Sequence, residues 1–318
     1  MKIKSASYFL KNKLRAAPII GPYIYKIVDQ LIKKNKWNKT KKEVLKLAKK
    51  TVVEDISLDV SIREGYLVFH NRNNSLINRG EHYEPEVQIA LKTLINLNRL
   101  RYKHTVFADI GVNIGLHTLF ILNNFPTTEI IAFDPSPFSY KYFELTIRFN
   151  KINNIRLEKV ALSDKIGQVE FYNWGKESSA DSLKDTKRVI GVTPKILKVP
   201  TVSLDSLAGL PPINVIKMDT EGAELSILRG AYNTIIKYQP FILLEFNKIN
   251  KKAFDVNTIQ IFEFLQKIDY SIFTLEFEFL SNKTFDLTQD KGYENYILLP
   301  NSGLMQLFRK TIDNHDVS

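Results

Sequence analysis

The stretch FADIGVNIGLHTLFIL, residues 107–122, decides the reading of this chain. An apolar run ends in an acid, Asp109. Gly111 and Gly115 stand four apart, and a second apolar run follows. The first run predicts a buried strand and the second a helix, with the glycines marking a turn that admits close approach of a ligand to the backbone. In an open parallel sheet, ligands sit beyond the carboxyl ends of the strands, where such turns lie.

The next strand, EIIAFDP (129–135), ends in Asp134. A carboxylate there suits a ribose, because both hydroxyls of a diol can donate to it. Two ribose-bearing ligands compete. A nicotinamide dinucleotide calls for G-x-G-x-x-G, which frees helix N–H groups for a pyrophosphate. This chain has D-x-G-x-N-x-G, with Asn113 in place of the second glycine and Asp109 where it would repel a pyrophosphate. S-adenosylmethionine carries a sulfonium and an ammonium group and no phosphate, so a nearby carboxylate favours it. The acid-first pattern selects S-adenosylmethionine over an oxidoreductase cofactor.

Around this centre, apolar strands alternate with helices. TVFADIG (105–111), EIIAFDP, IRLEKVAL (155–162), NVIKMDT (214–220) and PFILLEF (240–246) read as strands. LHTLFILNNF (116–125), SYKYFELTIRFNKIN (139–153), AELSILRGAYNTII (223–236) and VNTIQIFEFLQKI (256–268) read as helices. EPEVQIALKTLINLNRL (84–100) is a helix ahead of the first of these strands, and VSIREGYLVFH (60–70) alternates around a Glu-Gly turn. Unbroken apolar strands joined by helices predict a mostly parallel sheet covered on both faces. YSIFTLEF (270–277) and NYILLP (295–300) show no helix between them, so they are expected to pair antiparallel at an edge. GQVEFYN (167–173) and VPTVSLDSL (199–207) read as strands flanking a loop, WGKESSADSLKDTKRVIGVTPK (174–195), and the loop region 173–198 is expected to shape the acceptor pocket.

Charge divides the chain. Residues 1–50 hold 15 Lys and Arg against 2 Asp and Glu, so the formal +11 of all 318 residues belongs to this segment. The remainder holds 30 basic and 32 acidic residues. Two domains are expected: a basic helical extension over 1–50 and an S-adenosylmethionine-binding domain over 51–318. YIYKIVDQLIKK, from residue 23, spaces apolar residues helically among lysines, with Trp37 beyond. Such an arm can pack on the domain, contact an anionic membrane surface, or hold nucleic-acid phosphates; the last carries least weight. There is no cysteine, and no apolar run approaches the ~18 residues of a membrane span. A cytoplasmic protein, at most peripheral at the inner face of a membrane, is the expectation. No feature indicates its oligomeric state.

Several ordered motifs resemble the FkbM-like family of class I S-adenosylmethionine-dependent methyltransferases. They are YEPE (83–86), DIGVNIG (109–115), FDPSP (133–137), VALSDKIGQVEFY (160–172), VSLDSL (202–207) and IKMDTEGAELSILRG (216–230), the last being the most specific. The family commonly has Glu where this chain has Asp134. The resemblance implies a Rossmann-like sheet with an antiparallel final hairpin, and methyl transfer to a hydroxyl of a sugar, glycan or related small molecule. It implies that Asp109, Gly111, Asn113 and Gly115 surround the methionine and ribose portions, with Thr118 and His117 near the methionine end. Asp134, beside Pro135 and Ser136, would hold the ribose. Ala161, Leu162 and Asp164 would meet the adenine. Glu84, with Tyr83, would cover the methionine end from the preceding helix.

For proton removal the candidates are Asp219 and Glu245, at the ends of two strands, with Lys217 as an ionic partner. Glu221 and Glu224 equally suit a helix N-terminus, by complementing its dipole. These carboxylates could also take Mg²⁺, whereas no His-rich set supports a transition metal. An RNA methyltransferase, or a non-catalytic membrane- or nucleic-acid-binding module using the basic arm, stands as the alternative.

Overall fold

The computed structural model describes residues 58–71, 76–77, 83–175, 180–186, 191–247, 252–292 and 294–302. The expected helical arm and the domain boundary at residue 50 lie outside them. An eight-stranded sheet forms the centre. In chain order its strands are β3 (Val106–Ile110), β4 (Glu129–Phe133), β5 (Ile155–Glu158), β9 (Val215–Met218), β10 (Phe241–Glu245), β11 (Tyr270–Phe273), β12 (Phe279–Leu280) and β13 (Asn295–Pro300). Across the sheet they run β12-β11-β13-β10-β9-β3-β4-β5. The five strands from β10 to β5 are parallel, and β13 lies antiparallel between β10 and β11.

Period-2 alternation explains why these strands read as continuous apolar runs. Ala108, Ile110, Ile131, Phe133, Ile216, Met218, Ile242 and Leu244 face one core. Phe107, Ile130, Ala132, Val215, Phe241 and Leu243 face the other. The first core is covered by α4 (Glu224–Gly230), α5 (Tyr232–Tyr238), α6 (Thr258–Lys267) and α7 (Asn282–Asp290). The second is covered by α1 (Pro85–Arg101), α2 (Leu116–Asn124) and α3 (Pro137–Asn150). Pro85 and Pro137 open α1 and α3, where a missing N–H costs nothing.

Two smaller units flank the sheet. The hairpin β1 (Leu58–Arg63) and β2 (Tyr66–Asn71) turns at Glu64-Gly65 and packs on α3. There the Asn150 and Thr146 side chains take the backbone N–H groups of Leu67 and Phe69. A three-stranded sheet pairs β6 (Ala161–Leu162), β8 (Lys195–Val202) and β7 (Gly167–Asn173).

The structure corrects four expectations. A helix, α7, does separate the last two long strands. Its residues are mostly polar and only Phe285 is fully buried, so the apolar period is faint, while Ser281 and Thr284 form the capping box that starts it. Nor does the final pair lie at an edge: β13 is buried from Tyr296 to Pro300 because it sits inside the sheet. The single strand expected over 155–162 divides into β5 and β6, and the helix expected over 223–236 breaks at Ala231. Gly230 there packs on the Ser163 carbonyl, with room for no side chain.

Candidate active site

A cavity of about 450 Å³ opens at the carboxyl ends of β3, β4, β9 and β10. Backbone contacts draw its floor together. Gly111 has φ +84°, and a Cβ there would lie 1.8 Å from the Asp219 carbonyl oxygen, so the turns after β3 and β9 touch through this glycine. Gly115 has φ +85° and faces the Phe143 ring at 2.0 Å from where a Cβ would be. Sequence reasoning gave both glycines to ligand approach. Their close neighbours are protein groups, and Gly115 does not line the cavity.

Asp134 ends β4 and is 5% exposed. Its Oδ2 accepts the Asn113 N–H at 2.8 Å and its Oδ1 the Ser136 N–H at 2.8 Å, tying two loops to one carboxyl. Burial outweighs these bonds and, with the Asp109 and Asp219 charges, pushes it up to about 7. Asn113, Pro135, Ser136, Ala161 and Leu162 line the cavity beside it. With Phe133, Val160, Phe171, Leu183 and Ile227 they give this end a largely apolar wall.

Two carboxyls expected at the cofactor lie elsewhere. Asp109 is 1% exposed and absent from the cavity wall. It pairs in register with Lys217 across β3 and β9 and accepts the Thr118 hydroxyl at 2.6 Å. Thr118 is likewise fully buried and outside the wall. Asp164 is exposed, with its Oδ1 taking the neighbouring Ser163 hydroxyl at 3.2 Å, and it too is outside the wall. A strand-end acid can be located from a motif, but the direction of its side chain depends on register and on neighbours distant in sequence.

The opposite end gathers charge. Lys217, 2% exposed, holds Asp219 through a 2.9 Å ion pair. Burial alone would lower the Lys217 ammonium, but Asp219, Asp109 and Glu84 reverse that and raise it. Burial likewise opposes ionisation of Asp219, yet Lys217 and a hydrogen bond from Glu245 hold it well below the usual carboxylate range. Glu245 is displaced the other way, by burial and then by the Asp219 charge. Within the pair, ionisation is thus favoured at Asp219 and disfavoured at Glu245.

Glu84, at the N-cap of α1, meets His117 Nε2 at 3.1 Å, and Tyr83 stacks on the same imidazole at 5.1 Å between ring centroids. Burial raises the Glu84 carboxyl, but the His117 contact and Lys217 bring it below its ordinary value. Glu224 has a local duty: its Oε1 accepts the N–H groups of Thr220 and Gly222 and the Thr220 hydroxyl, bracing the turn between β9 and α4. Glu221 lines the cavity, and one oxygen each from Asp219, Glu221 and Glu245 lies within 4.8 Å of the others.

Among the lining residues missed in the sequence, two come from the 174–195 segment. Asp181 and Leu183 line the apolar end, with Phe171 from β7. Asp181 bonds to Ser136, so this part of the loop reaches the Asp134 end rather than serving the acceptor end alone. Only its Asp-Ser-Leu composition could have drawn notice, and that is too common to carry a signal.

A mostly parallel sheet with one antiparallel strand inserted, and a ribose-competent carboxyl after its second central strand, is the architecture of the class I methyltransferases. The chain belongs to the FkbM methyltransferase domain family, whose model matches residues 109–272. It is 28% identical over 156 residues to the 2-O-methyltransferase NoeI of Sinorhizobium fredii, covering 45% of this chain and 63% of that protein. It is 28% identical over 144 residues to the hexuronic acid methyltransferase AglP of Haloferax volcanii, covering 44% and 55% respectively. The chain thus spans little more than half the length of these curated relatives. The crystal structure of an FkbM methyltransferase from Methylobacillus flagellatus superposes with a TM-score of 0.41 at 14% identity, over 62% of this chain and 43% of that one.

Proposed function

We propose that the protein transfers a methyl group from S-adenosylmethionine to a hydroxyl oxygen of a sugar or glycan. The carrying observation is the division of one cavity into an apolar, hydroxyl-accepting end at Asp134 and a charged end at the Lys217–Asp219 ion pair, with Glu245 beside it. The donor set fits the nucleoside. Asp134 uses one acceptor position on each oxygen for backbone, leaving one on each for a diol. Asn113 Oδ1 is buried without a partner among the described residues, in a residue that lines the cavity, and suits an ammonium donor. When bound, the cofactor supplies an electrophilic methyl group on a sulfonium.

The chain's own residues orient the acceptor and remove its proton. Asp219, kept ionised by Lys217, accepts the hydroxyl hydrogen and so directs the oxygen lone pair. An alcohol oxygen becomes strongly acidic as its new bond to carbon forms, so even a weakly basic carboxylate can take the proton late in the step. Glu245 donates to Asp219 and fixes its rotamer, and Lys217 is its positioning cation. A sugar acceptor agrees with relatives named as a 2-O-methyltransferase and a hexuronic acid methyltransferase. RNA fits less well, because exposed Glu86, Glu276 and Glu294 also line the cavity and would repel phosphates.

Asp219, Glu221 and Glu245 have the oxygen chemistry for Mg²⁺. Lys217 already supplies a counter-charge, so methyl transfer should persist in EDTA. Among the described residues no helix is long and apolar enough to cross a membrane. The basic first fifty residues would hold the enzyme at an anionic surface, and removing them should abolish liposome association while sparing cofactor binding.

Calorimetric titration with S-adenosylhomocysteine, with Asp134→Ala alongside, tests the reading. Micromolar binding lost in the variant, followed by labelled-methyl transfer to a saccharide panel, supports it. A folded protein that binds neither S-adenosylhomocysteine nor S-adenosylmethionine would overturn it.

A further inference from the structure

The apolar end of the cavity holds a second carboxyl that none of the strand-end motifs marks. Asp181 sits on a short segment held at two points across the cavity. Ser136 Oγ donates to Asp181 Oδ2 at 3.1 Å, and the Ser182 hydroxyl donates to the Glu221 carbonyl at 2.8 Å. Asp181 Oδ2 also accepts Asn173 Nδ2 at 2.6 Å, and Oδ1 accepts the Trp174 N–H at 2.8 Å. A carboxylate offers about four acceptor positions. Three of Asp181's are filled by protein groups, one remains, and the residue lines the cavity.

Counting acceptors then separates the two acids. An adenosine presents three donor groups, namely two ribose hydroxyls and one exocyclic amine. Asp134 has two acceptor positions left after its backbone bonds, which match the diol. Asp181 has the third. Phe171 and Leu183, which flank it on β7 and on its own segment, supply the apolar surface an aromatic base needs. Asp164, which the motif reading assigned to the amine, is exposed and outside the wall.

We propose that Asp181 accepts the exocyclic amine of the adenine and sets the base specificity of the site. This inference rests on the S-adenosylmethionine reading. The test compares S-adenosylhomocysteine with S-inosylhomocysteine, in which a carbonyl oxygen replaces the amine. Wild-type protein should prefer the adenosyl ligand by roughly 10- to 100-fold, the range for one lost hydrogen bond to a charged group. In Asp181→Asn the preference should shrink, because an amide oxygen kept on the Trp174 N–H is a weaker acceptor for the amine than a carboxylate. Asp164→Asn should keep it.

A purely structural role for Asp181 would weaken both ligands equally and leave their ratio intact, which would overturn the proposal. So would a wild-type protein that binds both ligands alike, and that result would leave the S-adenosylmethionine reading standing. Binding of neither ligand would remove that reading and the proposal with it. If Asp181→Asn fails to fold, the wild-type ratio and Asp164→Asn still decide: a preference lost in Asp164→Asn returns the role to Asp164.

Discussion

Asp134 and Asp181 form one carboxyl pair of the cavity, and Asp219 and Glu245 the other, and their surroundings treat them in opposite ways. Asp134 and Asp181 share Ser136 as a donor, and among the groups that shift them no cation appears; burial pushes each up to about 7. Asp219 and Glu245 have Lys217 against one member. Against the burial of both, that ammonium pulls Asp219 downward, while burial and the Asp219 charge push Glu245 upward. The same residue type thus serves two tasks. Where no cation among the described residues offsets burial, carboxyls near neutrality suit uncharged hydroxyl and amine donors. Where a buried lysine holds the charge, one carboxylate stays ionised and can receive a proton.

The largest expected effect comes from breaking the seam between the two ends. Gly111→Ala would drive a methyl into the Asp219 carbonyl at a backbone angle that L side chains rarely adopt. We expect a loss of roughly 2–5 kcal/mol of stability, measured by urea denaturation, with cofactor binding and methyl transfer failing together. A stable Gly111→Ala would mean that the turns after β3 and β9 can separate without harm. Next in size is Asp219→Asn. It should lower kcat by about 10²- to 10⁴-fold, the span of acid–base contributions, while S-adenosylhomocysteine binds as in wild type. Equal losses in both measurements would place Asp219 at the binding end and dissolve the division.

What the sequence made legible follows the range of the interactions involved. The β3 turn, Asp134, the Asp219 strand end and the parallel order rest on local spacing and apolar period, and all appear in the structure. The orientation of Asp109 does not, because it depends on register with Lys217, 108 residues away in the chain. Asp181 was hidden for a similar reason. Its neighbours Ser136 and Asn173 come from separate elements, and its own segment has no hydrophobic period. Asp164 is the converse case: the motif marks its position, while its exposed side chain takes the neighbouring Ser163 hydroxyl, as a turn-forming aspartate does.

A smaller effect distinguishes the ends by pH. A carboxylate accepts hydrogen bonds at more positions than a carboxylic acid, so cofactor binding should favour the ionised forms of Asp134 and Asp181. With both near 7, raising the pH from 6 to 8 increases the ionised fraction of either group by about tenfold. S-adenosylhomocysteine should tighten by a comparable factor over that interval. Linkage gives the apo protein the opposite trend. Groups raised above their unfolded values cost stability once the pH exceeds the unfolded value, so these two favour folding at pH 5 over pH 8. Calorimetric binding and thermal melts at matched pH check both signs, and a flat binding profile would show that neither group titrates near neutrality.

The subtlest test lies within the Asp219–Glu245 pair. Glu245 is the member whose affinity for a proton is raised, which makes it the donor of the pair's hydrogen bond to Asp219. At high pH that proton leaves, two carboxylates face each other, and Asp219 loses the donor that orients it. Wild-type kcat should therefore fall on the alkaline side, at an apparent pKa above the ordinary carboxylate range. Glu245→Gln supplies an amide N–H at every pH and has no proton to lose. It should hold kcat within about threefold at neutral pH and abolish the alkaline fall. If Glu245 were itself the base, the profile would invert. Wild-type kcat would rise as Glu245 ionises, and the glutamine variant would be inactive at every pH. The two outcomes assign the proton acceptor, because only one member of the pair can be the group that must stay protonated.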